Sequence, residues 1–356
     1  MGPVLFGHPS LTHINLDNTG INDSTLIFIL DEISKNSILQ SISLNDNPIS
    51  RDGTDMLLNF RDDNPNIHLD FQSELITEAV NGLEINFKRS GDRSVERTLK
   101  SLQHVLIKEL QIKDSTPKRT VETYEPLALM KHLQNLNLQY CCGQIGVILK
   151  ALNKNDFYLT QLHLSDYILE NEDALLISFI LVDQKPLRSL ILQSCNISPA
   201  IFNLISNALK SNSVLKTLNL NANELGDAGV KELSLSLKQN SSLTYLSMQS
   251  NNIRDPGACC IAQALRSNTI LSTIILHNNK IRDYGAYKIA RSLSKNTTLT
   301  AISLSSNKIS TEGVNDLATL VKNTSKLQVL DLNGNRFGPE GLGKLAKALT
   351  HNTSLV

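Results

Sequence analysis

Residues 215–225 read LKTLNLNANEL, residues 243–253 LTYLSMQSNNI and residues 271–281 LSTIILHNNKI, three copies of one pattern spaced 28 residues apart. The spacing holds outward from them: Leu opens a unit at Leu159, Leu187, Leu215, Leu243, Leu271, Leu299, Leu327 and Leu355. With the opening Leu as offset 0, apolar residues recur at offsets 3 and 5, as in Leu218 and Leu220 or Ile274 and Leu276. That alternation marks a strand with one buried face. Offset 8 holds Asn47, Asn223, Asn251, Asn279, Asn307 and Asn335, with Cys141 and Cys195 in its place in two units. A chain turning out of a strand leaves backbone groups inside, and a short amide can satisfy them. These Asn are therefore expected to be structural.

Gly53, Gly229, Gly257, Gly285, Gly313 and Gly341 stand at offset 14, followed by apolar residues at offsets 18 and 22 such as Ile289 and Leu293. Four-residue spacing is helical, so each unit reads as strand, turn and helix. Asp255-Pro256 and Gly338-Pro339 mark helix entries, because Pro fits a first helical turn. Asn212, Asn240, Asn268, Asn296 and Asn352 mark the exits, where a left-handed Asn is expected.

The form LxxLxLxxNx[LI] with a Gly-led helix resembles the leucine-rich repeat family, and the 28-residue pitch is similar to its ribonuclease-inhibitor type. The resemblance implies an α/β fold: a right-handed horseshoe solenoid with parallel strands on the concave face and helices on the convex face. It covers residues 1–356 as one domain, irregular over 1–158 and regular over 159–356. Openings at Leu11, Leu39, Asn66, Val80, Ile107 and Leu133 include one unit of only 14 residues, so irregularity is expected near residues 66–88. Lys113–Thr120 reads as a surface loop. The chain stops at Leu355-Val356, the first residues of another unit, which implies a longer polypeptide or an edge covered by a partner.

The 356 residues carry 34 basic and 34 acidic side chains, with 41% hydrophobic and 4% aromatic content. Disorder is excluded, and Leu and Ile must do the packing. Net neutrality argues against nucleic acid, which needs a basic excess. The neutrality hides a gradient: residues 1–86 hold 13 acids and 3 bases, residues 201–356 hold 9 acids and 17 bases. The five cysteines, in two adjacent pairs and a single, form neither a disulfide framework nor a zinc motif, which fits a reducing, cytoplasmic setting. No stretch approaches the ~20 apolar residues of a membrane helix, so no membrane insertion is expected.

Gly338–Lys344 fits GxxxxGK, but Leu345 replaces the metal-binding Ser or Thr, and its offset is a core position. His13, His68, His163 and His277 fall at concave strand offsets but several units apart, so each reads as an isolated, solvent-facing side chain. No catalytic residue, metal site or cofactor is expected. Sequons at Asn22, Asn240, Asn296, Asn323 and Asn352 are explained by the repeat, three sharing the helix-exit phase. Cys259 and Cys260 lie at outward helix offsets with nothing obvious to activate them.

The concave lane, at offsets 2, 4, 6 and 7, is uncharged and amide-rich, including Asn219, Asn221 and Gln249, and its best anchors are Tyr245, Ile275 and His277. On the convex side the unit at Leu159 places Leu175, Leu176, Phe179 and Val182 where other units carry polar or small residues. Either a neighbouring segment covers this helix, or it is a self-association or docking surface. A non-catalytic protein-binding module is the expectation, with homo-oligomers forming through this helix or the C-terminal edge. The repeat type also implies roles in inhibitors, immune receptors and bacterial effectors delivered to a host cytosol; an Ile-, Asn-, Ser- and Lys-leaning composition favours the last. The alternative is a regulator resembling the Ran GTPase-activating proteins, whose functional Arg would fall on Arg51 of the second unit.

Overall fold

The computed structural model describes residues 12–17, 19–34, 39–44, 47–70, 76–79, 82–86, 92–102, 107–113, 120–139, 145–154, 157–324 and 326–355. The expected alternation of short strand and helix runs through them. Strands occupy offsets 2–4 of the later units, as Thr217–Asn219, Tyr245–Ser247, Thr273–Ile275, Ala301–Ser303 and Val329–Asp331. They pair in parallel with no slip, Leu218 against Leu246, Ile274 against Ile302 and Ile302 against Leu330. The middle residue of each regular strand is an offset-3 apolar side chain, and a one-residue slip would turn it to solvent. Ten strands from Gly82–Asn86 to Val329–Asp331 thus form one parallel sheet backed by helices, a leucine-rich repeat solenoid.

Among the described residues the stack is interrupted once. Strands His13–Asn15, Ser41–Ser43 and His68–Asp70 form their own three-stranded sheet. Ile76–Ala79, which the repeat spacing does not reveal, instead pairs antiparallel with Gly82–Asn86 and edges the large sheet. The core divides at the same place: one cluster from Ile14 to Leu69, another from Ile85 to Leu332. Helices Arg51–Asp63 and Asp92–Leu102 still lie against each other, so the helical layer continues across the gap. Most of the Lys113–Thr120 loop and Cys141 lie outside the described residues.

Two ladders of Asn side chains tie the units together. In the strand-exit ladder Asn279 Nδ2 donates to Met248 O and its own unit's Leu276 O, each at 3.0 Å. Its Oδ1 accepts from Asn251 N and Ile253 N, each at 3.0 Å. Asn223, Asn307 and Asn335 bridge in the same way, which is the structural role expected of offset 8. Cys195 substitutes with a thiol 3.4 Å from Leu164 O, and burial pushes that thiol up to about 12.

The helix-exit Asn behave differently from expectation. Asn212, Asn240, Asn268 and Asn296 are absent from the left-handed residues, which cluster instead at offset 7 as Ala222, Ser250, Asn278 and Ser306. Asn240 Nδ2 reaches back to Leu209 O (2.7 Å), and its Oδ1 accepts from Ser242 N and Leu243 N. The amide closes the turn and spans two units, so the backbone has no need of a left-handed residue there.

Candidate interaction surface

Because strand residues alternate sides, burying offsets 3 and 5 in the core turns offsets 2, 4 and 6 to the concave face. Tyr245 lies opposite Thr273, two residues before Ile275 on the neighbouring strand. With strands about 4.8 Å apart and about 3.3 Å per residue, the Cα atoms of Tyr245 and Ile275 are roughly 8 Å apart. His277 follows two residues further on. The sheet therefore sets Ile275 between the other two, next to each, while the Cα atoms of Tyr245 and His277 lie roughly 14 Å apart along the same face. Tyr245 is 37% exposed although Leu246, Ser247 and Met248 after it are buried; Ile275 and His277 are half-buried.

Polar neighbours lock this lane from within. Asn219 Oδ1 accepts from Asn221 N (2.9 Å), and Asn221 Oδ1 accepts from Ser247 Oγ (2.6 Å) and Gln249 N (2.8 Å). The amides expected as free contacts are thus partly spent holding adjacent strands. His277 is not isolated: its Nδ1 shares a 2.8 Å hydrogen bond with Ser305 Oγ, which shares one of 2.8 Å with Ser303 Oγ. Ser303 Oγ in turn donates to Asp331 Oδ2 at 2.8 Å. Burial pushes the Asp331 carboxyl up, but the Ser305 and Ser303 hydroxyls, the Asn333 N–H and the His277 charge outweigh it and hold it below its usual range. Ser303 and Ser305 are not singled out by the sequence reading; their offsets, 4 and 6, are the signal that places them beside Asp331 and His277.

At the other end of the lane Asn137 pairs with His163 across adjacent strands. Asn137 Oδ1, His163 Nε2 and Ser165 Oγ are buried there without a hydrogen-bond partner among the described residues. Burial lowers the His163 imidazole below its ordinary value, against a weaker upward pull from Asp166, so it is neutral at physiological pH.

The convex helix Asn171–Val182 turns Ala174, Ile177, Ile180 and Leu181 into the core. Leu176 packs half-buried against that core, while Leu175, Phe179 and Val182 are 43%, 56% and 50% exposed. Among the described residues, then, nothing covers this ridge. Arg51 is the first residue of helix Arg51–Asp63, and its side chain lies outside the described residues. Gly338–Lys344 is helix from its first residue, with Lys344 paired to Glu340 at 2.7 Å and Leu345 against the core. Burial raises both the Cys259 and Cys260 thiols. Among the described residues no group of three His, Cys, Asp or Glu could hold a metal ion, and no helix is long and apolar enough to cross a membrane.

Four stretches of the chain match the leucine-rich repeat family. They are residues 211–234, 239–262, 295–318 and 324–346, all within the regular units. No curated protein matches the sequence. Among solved structures, the yeast Rad7 and Elc1 complex aligns with 95% of this chain and 81% of that one, at 19% identity and a TM-score of 0.50. Actin-binding site 2 of leiomodin-1 aligns with 49% of this chain and 87% of that one, at 18% identity and a TM-score of 0.32. The Rad7 and Elc1 likeness, at that identity, speaks for the leucine-rich repeat fold alone.

Proposed function

We propose that this leucine-rich repeat chain is a non-catalytic protein-interaction module that holds a protein partner against its concave strand face, anchored at Tyr245, Ile275 and His277. The observation that carries this is Tyr245 itself, an exposed aromatic ring on a strand whose following residues are all buried. An aromatic ring with few torsions, fixed on a strand and ringed by hydrogen-bonded neighbours, loses little freedom on binding. Affinity purification with mass spectrometry, run on the wild type and on Tyr245→Ala with His277→Ala, tests it. Recovery of a specific partner should fall at least tenfold, the scale of a hot-spot loss of about 1.4 kcal/mol or more; undiminished recovery contradicts the assignment.

A second reading is favoured by the exposure of Leu175, Phe179 and Val182, since a contiguous apolar ridge marks an interaction site. Self-association through it would appear in sedimentation as a mass that falls to the monomer in Phe179→Asp.

A further inference from the structure

The loops that carry each strand into its helix form a basic groove. Lys280, Lys308 and Arg336 occupy offset 9 of three successive units, and Arg254 and Arg282 occupy offset 11 of two. The backbone fixes both rows. Lys280 N donates to Ile253 O (2.7 Å), Lys308 N to Ile281 O (2.8 Å) and Arg336 N to Ile309 O (2.8 Å). Arg254 N and Arg282 N donate, each at 2.8 Å, to Asp227 Oδ1 and Asp255 Oδ1 of the preceding units.

Arg254, Lys280, Arg282 and Lys308 line one cavity of about 470 Å³. Lys280 and Lys308 also line an adjoining one of about 400 Å³ that extends to Arg336 and includes Asn278. All five cations are exposed, and none makes an ion pair among the described residues. The acid that lines the cavity, Asp255, already accepts from Arg282 N and Gly285 N. Glu224 takes offset 9 two units before Lys280 and bounds the row on that side.

We infer that this groove is a binding site for an acidic peptide segment of a protein partner, running along the solenoid across the strand-to-helix loops. Successive cations of the offset-9 row follow the strand pitch of about 4.8 Å, so the four units from Arg254 to Arg336 span about 15 Å, the reach of roughly five extended residues. Long Lys and Arg stems absorb the difference between that pitch and the about 7 Å between alternate side chains of a strand. A nucleic acid fits less well. No aromatic ring lines the groove for base stacking, and the acidic surplus of residues 1–86 repels a long polyanion. This surface is separate from the concave lane and does not depend on it.

Fluorescence anisotropy of the full chain tests the inference, using a labelled peptide of about eight alternating Glu and Gly residues, its Gln counterpart, and a single-stranded RNA of similar length. The Glu peptide should bind, weaken as salt rises, and lose affinity about tenfold or more in Lys280→Glu with Lys308→Glu, two reversed contacts. Lys231→Glu with Lys238→Glu makes the same change of net charge on the helix Gly226–Leu237 and at the residue that ends it, outside the groove lining, and should alter affinity less than about twofold. Both variants replace exposed side chains, and unchanged unfolding curves confirm that they fold. The inference is overturned if the Glu peptide fails to bind, if the Gln peptide binds equally, if both variants lose affinity alike, or if the RNA binds more tightly.

Discussion

Asn279 ties Met248 O, Asn251 N and Ile253 N of the preceding unit to Leu276 O and His277 O of its own. Asn279→Ala leaves Met248 O, Asn251 N and Ile253 N without this partner in a dry interior, while Leu276 O keeps Asn307 Nδ2, and a cost of about 2–4 kcal/mol is expected in urea unfolding. Asn335→Ala, on a half-exposed member of the same ladder, should cost less. Gly285 is equally constrained: a Cβ there would lie 2.7 Å from Asp255 Oδ1 and 2.8 Å from Ile281 Cγ2. Gly285→Ala should therefore destabilise by about 1–3 kcal/mol in the same assay. The repeat makes the presence of this glycine legible, but not its cause. Asp255 accepts from Gly285 N at 3.1 Å across 30 residues, capping a helix that has no side-chain cap of its own. A coupling between units is visible only once the units are stacked. Asp173 is a different case, a buried carboxyl that burial pushes up while Glu170 N and the Tyr167 hydroxyl pull down. Its folded value lies above its unfolded one, so the wild type loses stability as pH rises through the folded value. Asp173→Asn, which keeps an acceptor for both donors, should be more stable than wild type at pH 7, with the gain vanishing below about pH 3.5 in pH-resolved unfolding.

At the scale of elements, the helix Asn171–Val182 shows how far a sequence pattern carries. Apolar residues all round leave its buried side undetermined; packing against the sheet selects Ala174, Ile177, Ile180 and Leu181 and leaves Phe179 outside. Phe179→Asp is expected to change thermal stability by no more than about 0.5 kcal/mol, whereas Phe202→Ala, a fully buried ring in the next helix, should cost about 3–5 kcal/mol. The regular strands and helices are legible because their periods, two and 3.6, are imposed by a single buried face. The edge strand Ile76–Ala79 is not, because its partner lies in a short hairpin that breaks the 28-residue pitch.

For the whole molecule, the repeat converts sequence length into a surface with a defined order: concave lane, basic loops, apolar convex ridge. Its fold is readable in one dimension because each unit contacts only its neighbours. The proximity of Tyr245 to Ile275, a diagonal neighbour on the next strand, is readable for the same reason, from the shared register alone. What each side chain is free to bind is not, since the hydrogen bonds of Asn221 and His277 are made to residues 26 and 28 positions away. Hydroxyl-radical footprinting of the chain with and without its purified partner bears on the concave-lane proposal most directly. Tyr245 and His277 should lose most of their reactivity in the complex while Phe179 and Leu175 keep theirs; protection of Phe179 and Leu175 with Tyr245 and His277 unchanged would contradict it.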